Sequence, residues 1–320
     1  MPGDVVSSGQ RRDCGRFEPA YLRLLRSGEL AERVRSARER LANCDLCARY
    51  CRVDRHLSIR GAICRTGARA RVYSAGPHFG EEDCLRGSRG SGTIFFSWCN
   101  LRCVYCQNWE IAWRGEGQET SDEDLAAEML GLQACGCHNI NLVSPSHVVA
   151  QIISAVNIAA ARGLNLPLVY NTGGYDSAEA LKLLDGVVDI YMPDLKYGGD
   201  DQAHRYSHVR DYVRVNQAAL REMHRQVGDL VINAEGLAER GLLVRHLVLP
   251  DDISGTKAAL KFLAEEISAD AYLNLMAQYR PCYRASEAPG LDRPIHRAEF
   301  LDALAIARDC GLRRLDPGST

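Results

Sequence analysis

Within eight residues the chain places Cys99, Cys103 and Cys106, in the run Cys-Asn-Leu-Arg-Cys-Val-Tyr-Cys. Three thiolates this close can hold three corners of a cubane iron–sulfur cluster and leave the fourth iron open, whereas electron-transfer clusters are ordinarily closed by four cysteines. An open iron is a place for a substrate or cofactor to bind, so the spacing points to chemistry rather than to wiring. The competing readings are a zinc knuckle or three unrelated buried thiols. Zinc usually takes four ligands, and Gln107 and Asn108, which follow Cys106, are poor candidates for a local fourth. A second set, Cys44-x2-Cys47-x3-Cys51-x12-Cys64, supplies four thiols that can close a tetrahedral zinc site or a second [4Fe–4S] cluster. Its spacing does not choose between them, and buried free cysteines stay open as a reading. Cys14, Cys84, Cys135, Cys137, Cys282 and Cys310 have no ligand-like spacing and read as packing. His78, His147 and His246 read by default as hydrogen-bonded structural histidines.

The elements that must hold the three-cysteine loop follow from periodicity. Residues 18–42 read as one helix with Leu22, Leu25, Leu30 and Val34 on its apolar face. A cysteine-rich segment, 43–90, ends in the turn-rich stretch Gly87–Gly92. From there strands and helices alternate. Strands are expected at 93–98, 139–143, 166–171, 187–192, 242–249 and 272–277. Helices are expected at 121–135, 148–162, 177–184, around 215–226, at 256–267 and 297–310. Ser121 stands ready to cap the first of these, with acids in its opening turn. Six strands alternating with helices mean an α/β fold with a parallel sheet and right-handed crossovers. The cysteine loop follows the first strand. The divisions expected are an N-terminal helical extension (1–42), the cysteine-rich metal- or cluster-binding segment (43–90), a barrel (91–313) and a tail (314–320), with loose ends at 1–16 and 314–320.

Composition narrows the class. The chain has 320 residues, 46% hydrophobic, with a formal net charge of −2, enough for a barrel plus an appendage. No apolar run approaches the ~20 residues that cross a bilayer, and the N-terminus has no apolar signal region. A cytoplasmic protein without a membrane partner is expected. Thirteen tightly clustered cysteines suit metal ligation in a reducing compartment better than disulfides. Residues 1–90 carry 18 arginines and no lysine against 11 acids. The arginines are scattered and the first lysine is Lys182, so compositional bias explains them better than a nucleic-acid partner does.

The CxxxCxxC pattern, with Tyr105 before its last cysteine, is similar to the signature of the radical S-adenosylmethionine (SAM) enzymes. The wider phrases Pro77–Glu82, Gly90–Asn108, His138–Val143, Asp194–Lys196, Arg245–Pro250 and Met276–Arg280 resemble the pyruvate formate-lyase activating enzyme-like (PflX-type) subfamily. The likeness implies a partial (β/α)6 TIM-like barrel of the radical SAM type. It further implies a [4Fe–4S] cluster on Cys99, Cys103 and Cys106, and SAM bound at its open iron through amino and carboxylate groups. Reductive cleavage to a 5′-deoxyadenosyl radical, which abstracts hydrogen from a substrate, follows, with an electron donor such as flavodoxin or ferredoxin. Carried over residue by residue, Asp194 and Lys196 meet the SAM carboxylate side and Arg245 lies near the SAM. Ser144 or Ser146 stands where many members have an acid for the SAM amino group. Asn171 and Thr172 replace an Asp-Thr pair, so a monovalent-cation site of Thr172, Asp194 and the Met192 carbonyl would be one charge poorer. Many activases carry a ferredoxin-like insert after the first cluster loop, whereas the second cysteine set here precedes it. The reactions implied are activation of a glycyl-radical enzyme or modification of a peptide, RNA or small molecule. A non-catalytic metal-binding protein with structural zinc is the rival from another class.

Overall fold

The computed structural model describes residues 17–319, so the N-terminal end 1–16, with Cys14, and Thr320 lie outside the described residues. The expected single helix is two. α1 (Ala20–Ser27) and α2 (Glu29–Glu39) are separated by Gly28 at φ 80°, a left-handed conformation glycine adopts without steric cost. The apolar stripe is real but rotated: Tyr21, Leu24, Leu30 and Ala37 are buried, while Leu22, Leu25 and Val34 pack at its margin. Tyr21 donates to the Leu166 carbonyl and the Ala20 amide to Asp189, which fixes α1 to the barrel floor.

The strands are β1 (Ala70–His78), β2 (Ser91–Phe96), β3 (Gln118–Thr120), β4 (Ile140–Val143), β5 (Leu168–Thr172), β6 (Ile190–Pro193), β7 (Val231–Ile232), β8 (Ala238–Leu247), β9 (Tyr272–Met276) and β10 (Arg314–Leu315). β2, β4, β5, β6, β8 and β9 run parallel in that spatial order, which is the expected six-strand arrangement of an α/β fold. The remaining helices are α3 (Asp83–Arg86), α4 (Asp122–Ala134), α5 (Val149–Ala161), α6 (Ala178–Leu184), α7 (Asp200–Ser207), α8 (Tyr212–Val227), α9 (Thr256–Phe262) and α10 (Arg297–Asp309). Ser121 caps α4 by accepting from the Asp124 amide. α5 buries ten of its thirteen residues between α2, α4 and the sheet. Each of the buried isoleucines there, Ile152 and Ile153, contributes roughly 1.5–3 kcal/mol.

Besides the short elements α3, α7 and β7, three features were not expected. β1 arises inside the cysteine-rich segment, pairs antiparallel with β2, and carries β3 on its outer edge. The tail is docked rather than loose: β10 extends β9, and the Leu275 amide donates to the Ser319 hydroxyl. The third is how the sheet curls. β3 and β10 are its two edges and do not pair, yet Glu82, just past β1, accepts from Arg245 on β8 and Asn274 on β9. The segment around α3 thus fills the gap in a partial barrel. Cys84 and Leu85 pack there with Val169, Ile190, Met192, Leu243 and Tyr272 to form the barrel floor.

Candidate functional site

A cavity of about 750 Å³ opens at the C-terminal ends of the parallel strands, the end where barrel chemistry gathers. Cys99, Cys103 and Cys106 all line it. The loop that carries them leaves β2 through Trp98 in a left-handed turn (φ 66°), and Gly115 lets that indole pack, since a Cβ there would lie 2.2 Å from the ring. Backbone contacts pin the loop to the end of α7: the Arg102 amide donates to the Ser207 carbonyl and the Val104 amide to the Tyr206 carbonyl. Burial pushes the Cys99 thiol up to about 11 and raises Cys103 and Cys106 as well; neighbouring thiolates add to the shift at Cys99 and Cys106. Three adjacent thiols that the protein alone keeps neutral are a donor set that fits an iron–sulfur core, whose positive charge favours the thiolates.

Opposite the thiols stand the polar strand ends. Ser144 lines the cavity with φ 59°, as do Asn171, Thr172, Asp194, Lys196 and Arg245. Ser146 does not line it; its hydroxyl lies beneath, 2.9 Å from that of Thr172. Lys196 Nζ is 2.5 Å from Asp194. Burial pulls the Lys196 pKa down, but Asp194 outweighs it and holds the ammonium charged. The Thr172 hydroxyl donates to Asp176, which also accepts from Tyr170. Asp176 is a carboxylate the sequence reading passed over, brought by the turn after β5 to the strand whose end has asparagine where an acid was sought. Burial raises its pKa, which three hydroxyls partly offset.

Arg245 is more committed than expected. Its Nε and Nη2 donate to both oxygens of Glu82, at 2.8 and 2.6 Å, and Nη2 also reaches Glu81 at 2.5 Å. Burial disfavours the Glu82 carboxylate, yet Arg245 keeps its pKa lowered. His78 Nδ1 is 3.2 Å from the other Glu81 oxygen. One wall of the cavity is therefore a two-carboxylate, one-guanidinium cluster. Glu81 and Glu82 lie in one of the phrases that carried the family likeness, but only the fold shows that they meet strands β8 and β9.

Residues 93–234 match the Radical SAM superfamily model. That stretch resembles a radical SAM domain. An uncharacterized protein of Methanocaldococcus jannaschii, MJ0674, is similar over 313 residues at 29% identity, covering 94% of this chain and 84% of that protein. Among solved structures, the chain is similar to methylornithine synthase (PylB), at 13% identity and TM-score 0.45, over 95% of this chain and 84% of that one. It is also similar to HydG, a maturase of the [FeFe]-hydrogenase, at 13% identity and TM-score 0.46, over 68% and 49%. A radical SAM domain implies an enzyme that uses a [4Fe–4S] cluster and SAM and needs a reductant and a substrate. No helix among the described residues is long and apolar enough to cross a membrane.

The second cysteine set lies beside the Cys99–Cys106 loop, joined to it by Arg49 donating to the Asn100 carbonyl and Arg102 to the Ile63 carbonyl. Cys44, Cys47 and Cys64 are buried and Cys51 is half-buried; none of the four lines the cavity. Left-handed turns at Tyr50, Arg52 and Arg65 fold the segment back on itself, and the Cys44 amide donates to the Val53 carbonyl. A hydrogen bond from Cys51, with Arg55 alongside, lowers the Cys44 thiol to about 5; Cys51 is raised by the same pairing, and Cys47 by burial. Arg55 donates to the carbonyls of Thr66, Gly67 and His147 and lies 3.6 Å from Cys44 Sγ. Arg49 reaches the Asn100 carbonyl inside the cluster loop. Among the described residues no three His, Cys, Asp or Glu side chains are gathered as a shell for a single metal ion. Cys282, Cys135 and Cys310 do not line the cavity, and His246 is buried between the Leu195 carbonyl and Thr256.

Proposed function

We propose that this chain is a radical SAM enzyme in which Cys99, Cys103 and Cys106 hold the [4Fe–4S] cluster and Ser144, Asn171, Thr172, Asp194 and Lys196 receive SAM. The observation that carries the reading is that all three cysteines and these strand-end groups line one cavity, large enough for cofactor and substrate together. When bound, the cluster and SAM supply reductive sulfonium cleavage and a hydrogen-abstracting radical. The chain's own residues do the rest. The charged Lys196, held by Asp194, presents an ammonium for a carboxylate. Ser144 and Asn171 offer hydrogen bonds to an amino group. Ser146 hydrogen-bonds Thr172 instead, and Arg245, which lines the same cavity, is held there by Glu81 and Glu82.

The sequence phrases shared with the pyruvate formate-lyase activating enzyme-like subfamily support activation of a glycyl-radical partner as the first reaction to test. Flavodoxin or ferredoxin is the donor class and the cytoplasm the compartment. Cys44, Cys47, Cys51 and Cys64 supply the donor chemistry for a separate four-thiolate site, zinc or an auxiliary cluster.

Anaerobic reconstitution with iron and sulfide, followed by EPR of the dithionite-reduced protein with and without SAM, tests the reading. A [4Fe–4S]⁺ signal that changes on adding SAM and is absent from Cys99→Ala/Cys103→Ala/Cys106→Ala is expected. Folded wild type without a SAM-responsive signal would overturn it.

A further inference from the structure

Cys103 is the end of a buried chain of hydroxyl groups. Its Sγ lies 2.9 Å from Ser207 Oγ, Ser207 Oγ lies 2.7 Å from Tyr197 OH, and Tyr197 OH lies 2.7 Å from Tyr105 OH. Ser207 is fully buried, and Tyr197 and Tyr105 expose 1% and 5%. Each hydroxyl has one proton to donate, which leaves two directions for the chain. If Cys103 is a thiol that donates to Ser207, the protons run outward and that of Tyr105 has to turn back toward Ser207, which also lies within its reach. If Cys103 is a thiolate it only accepts. Ser207 then donates to sulfur, Tyr197 to Ser207 and Tyr105 to Tyr197, and every proton is placed. The inward direction is the one an iron–thiolate bond requires, because an ionised sulfur has no proton to give.

The same serine also grips the loop by its backbone, through the bond its carbonyl accepts from the Arg102 amide. Ser207 is therefore held against Cys103 at two points, and its hydroxyl is oriented from behind by two tyrosines whose rings are locked in the aromatic core with Tyr279 and Tyr212.

We propose that Ser207, oriented by Tyr197 and Tyr105, is a positioning residue that donates a hydrogen bond to the Cys103 thiolate and sets the reduction potential of the cluster; this rests on Cys103 being a cluster ligand. A bond to sulfur draws off negative charge. The couple is [4Fe–4S]²⁺ plus one electron from a low-potential donor, giving [4Fe–4S]⁺, so the reduced form, which carries more charge on sulfur, gains more from the bond. The potential rises accordingly. Hydroxyls in series polarise one another, so the two tyrosines strengthen the last bond. Tyr105, the aromatic residue of the cysteine motif, acts here through its oxygen.

EPR-monitored redox titration of the reconstituted protein tests this with Ser207→Ala, Tyr197→Phe, Tyr105→Phe and Ser207→Thr, beside iron content for each. At a fixed poise near the wild-type midpoint, Ser207→Ala is expected to lower the reduced-to-oxidised ratio about tenfold, equivalent to about 59 mV for one electron. Tyr197→Phe, which keeps the ring, is expected to lower it about threefold, Tyr105→Phe less, and Ser207→Thr to return it toward wild type. Wild-type midpoints in Ser207→Ala and Tyr197→Phe at undiminished iron content overturn the inference. A wild-type chain that takes up no iron at the three cysteines refutes the ligand assignment beneath it instead.

Discussion

The two cysteine sets sit on the same loop-rich side of the barrel and differ in almost every physical respect. Cys99, Cys103 and Cys106 face a cavity, and their thiols are raised by burial. Cys44, Cys47, Cys51 and Cys64 are folded inward by three left-handed turns. Cys44 belongs to the main hydrophobic core, where Arg55 and Cys51 stabilise its charge. One set is exposed to whatever enters the barrel; the other is sealed into a segment that has little core of its own. Similar residue types thus sit in opposite surroundings, an open cavity and a folded-in segment, and the difference lies in what surrounds the sulfur rather than in the sulfur.

The largest effect separates the sets outright. Cys44→Ala/Cys47→Ala/Cys64→Ala is expected to unfold the 43–90 segment and lower the thermal midpoint sharply, because the proposed four-thiolate site would contribute on the order of 10 kcal/mol. Cys99→Ala/Cys103→Ala/Cys106→Ala is expected to melt near wild type while losing the SAM-responsive EPR signal. Equal melting curves for the two triple variants would erase the distinction, and metal analysis of the first would show whether zinc or iron had been lost.

A smaller effect lies in the folded-in segment itself. Arg55→Met removes the donor to three carbonyls, and leaving buried acceptors unpaired costs about 1–3 kcal/mol each. Chemical denaturation should show a loss of at least about 3 kcal/mol, with the [4Fe–4S]⁺ signal of the cavity set retained. Loss of that signal in a folded variant would mean that the two sets are not independent.

The smallest expected effect is a pH dependence at the seam between them. His147 is buried, its Nε2 is 2.9 Å from the Ser97 carbonyl just ahead of the cysteine loop, and its own carbonyl accepts from Arg55. Burial, and then the Arg55 charge, lower its pKa to about 3, so the ring is neutral and Nε2–H donates. A histidine depressed in the folded state binds fewer protons there than in the unfolded chain, where its pKa is about 6.5. Its contribution is complete above pH 6.5 and is lost as pH falls toward 3. Between pH 7 and pH 4 this amounts to about 3 kcal/mol. Urea unfolding at the two pH values should show that loss in wild type and much less of it in His147→Gln; identical pH profiles would count against it.

Much of this was legible in the sequence, for reasons that also mark where legibility stopped. The cysteine loop and the strands after it are local patterns, and the fold follows them to within a few residues. β1 was hidden because its burial does not alternate cleanly and it contains Gly76 and Pro77, residues that argue against a strand unless it lies near an edge. The break at Gly28 was masked by apolar spacing that continues across it. The commitment of Arg245 to Glu81 and Glu82 spans more than 160 positions, and no local period reports such a contact. Ser207 escaped for the same reason, since it meets Cys103 across 104 positions, whereas Asp176 meets Thr172 and Tyr170 across a short turn whose shape no period reports.

The gap in the barrel has a mechanical consequence. A strand ladder opens only by breaking several backbone hydrogen bonds together, whereas Glu81, Glu82, Arg245 and Asn274 join the two sides of the sheet by side chains alone. Such a joint yields one rotamer at a time, and its burial shields it from salt. The ring of strands accordingly has an expandable circumference at this place, where a bulky guest could widen the vessel without unravelling its staves.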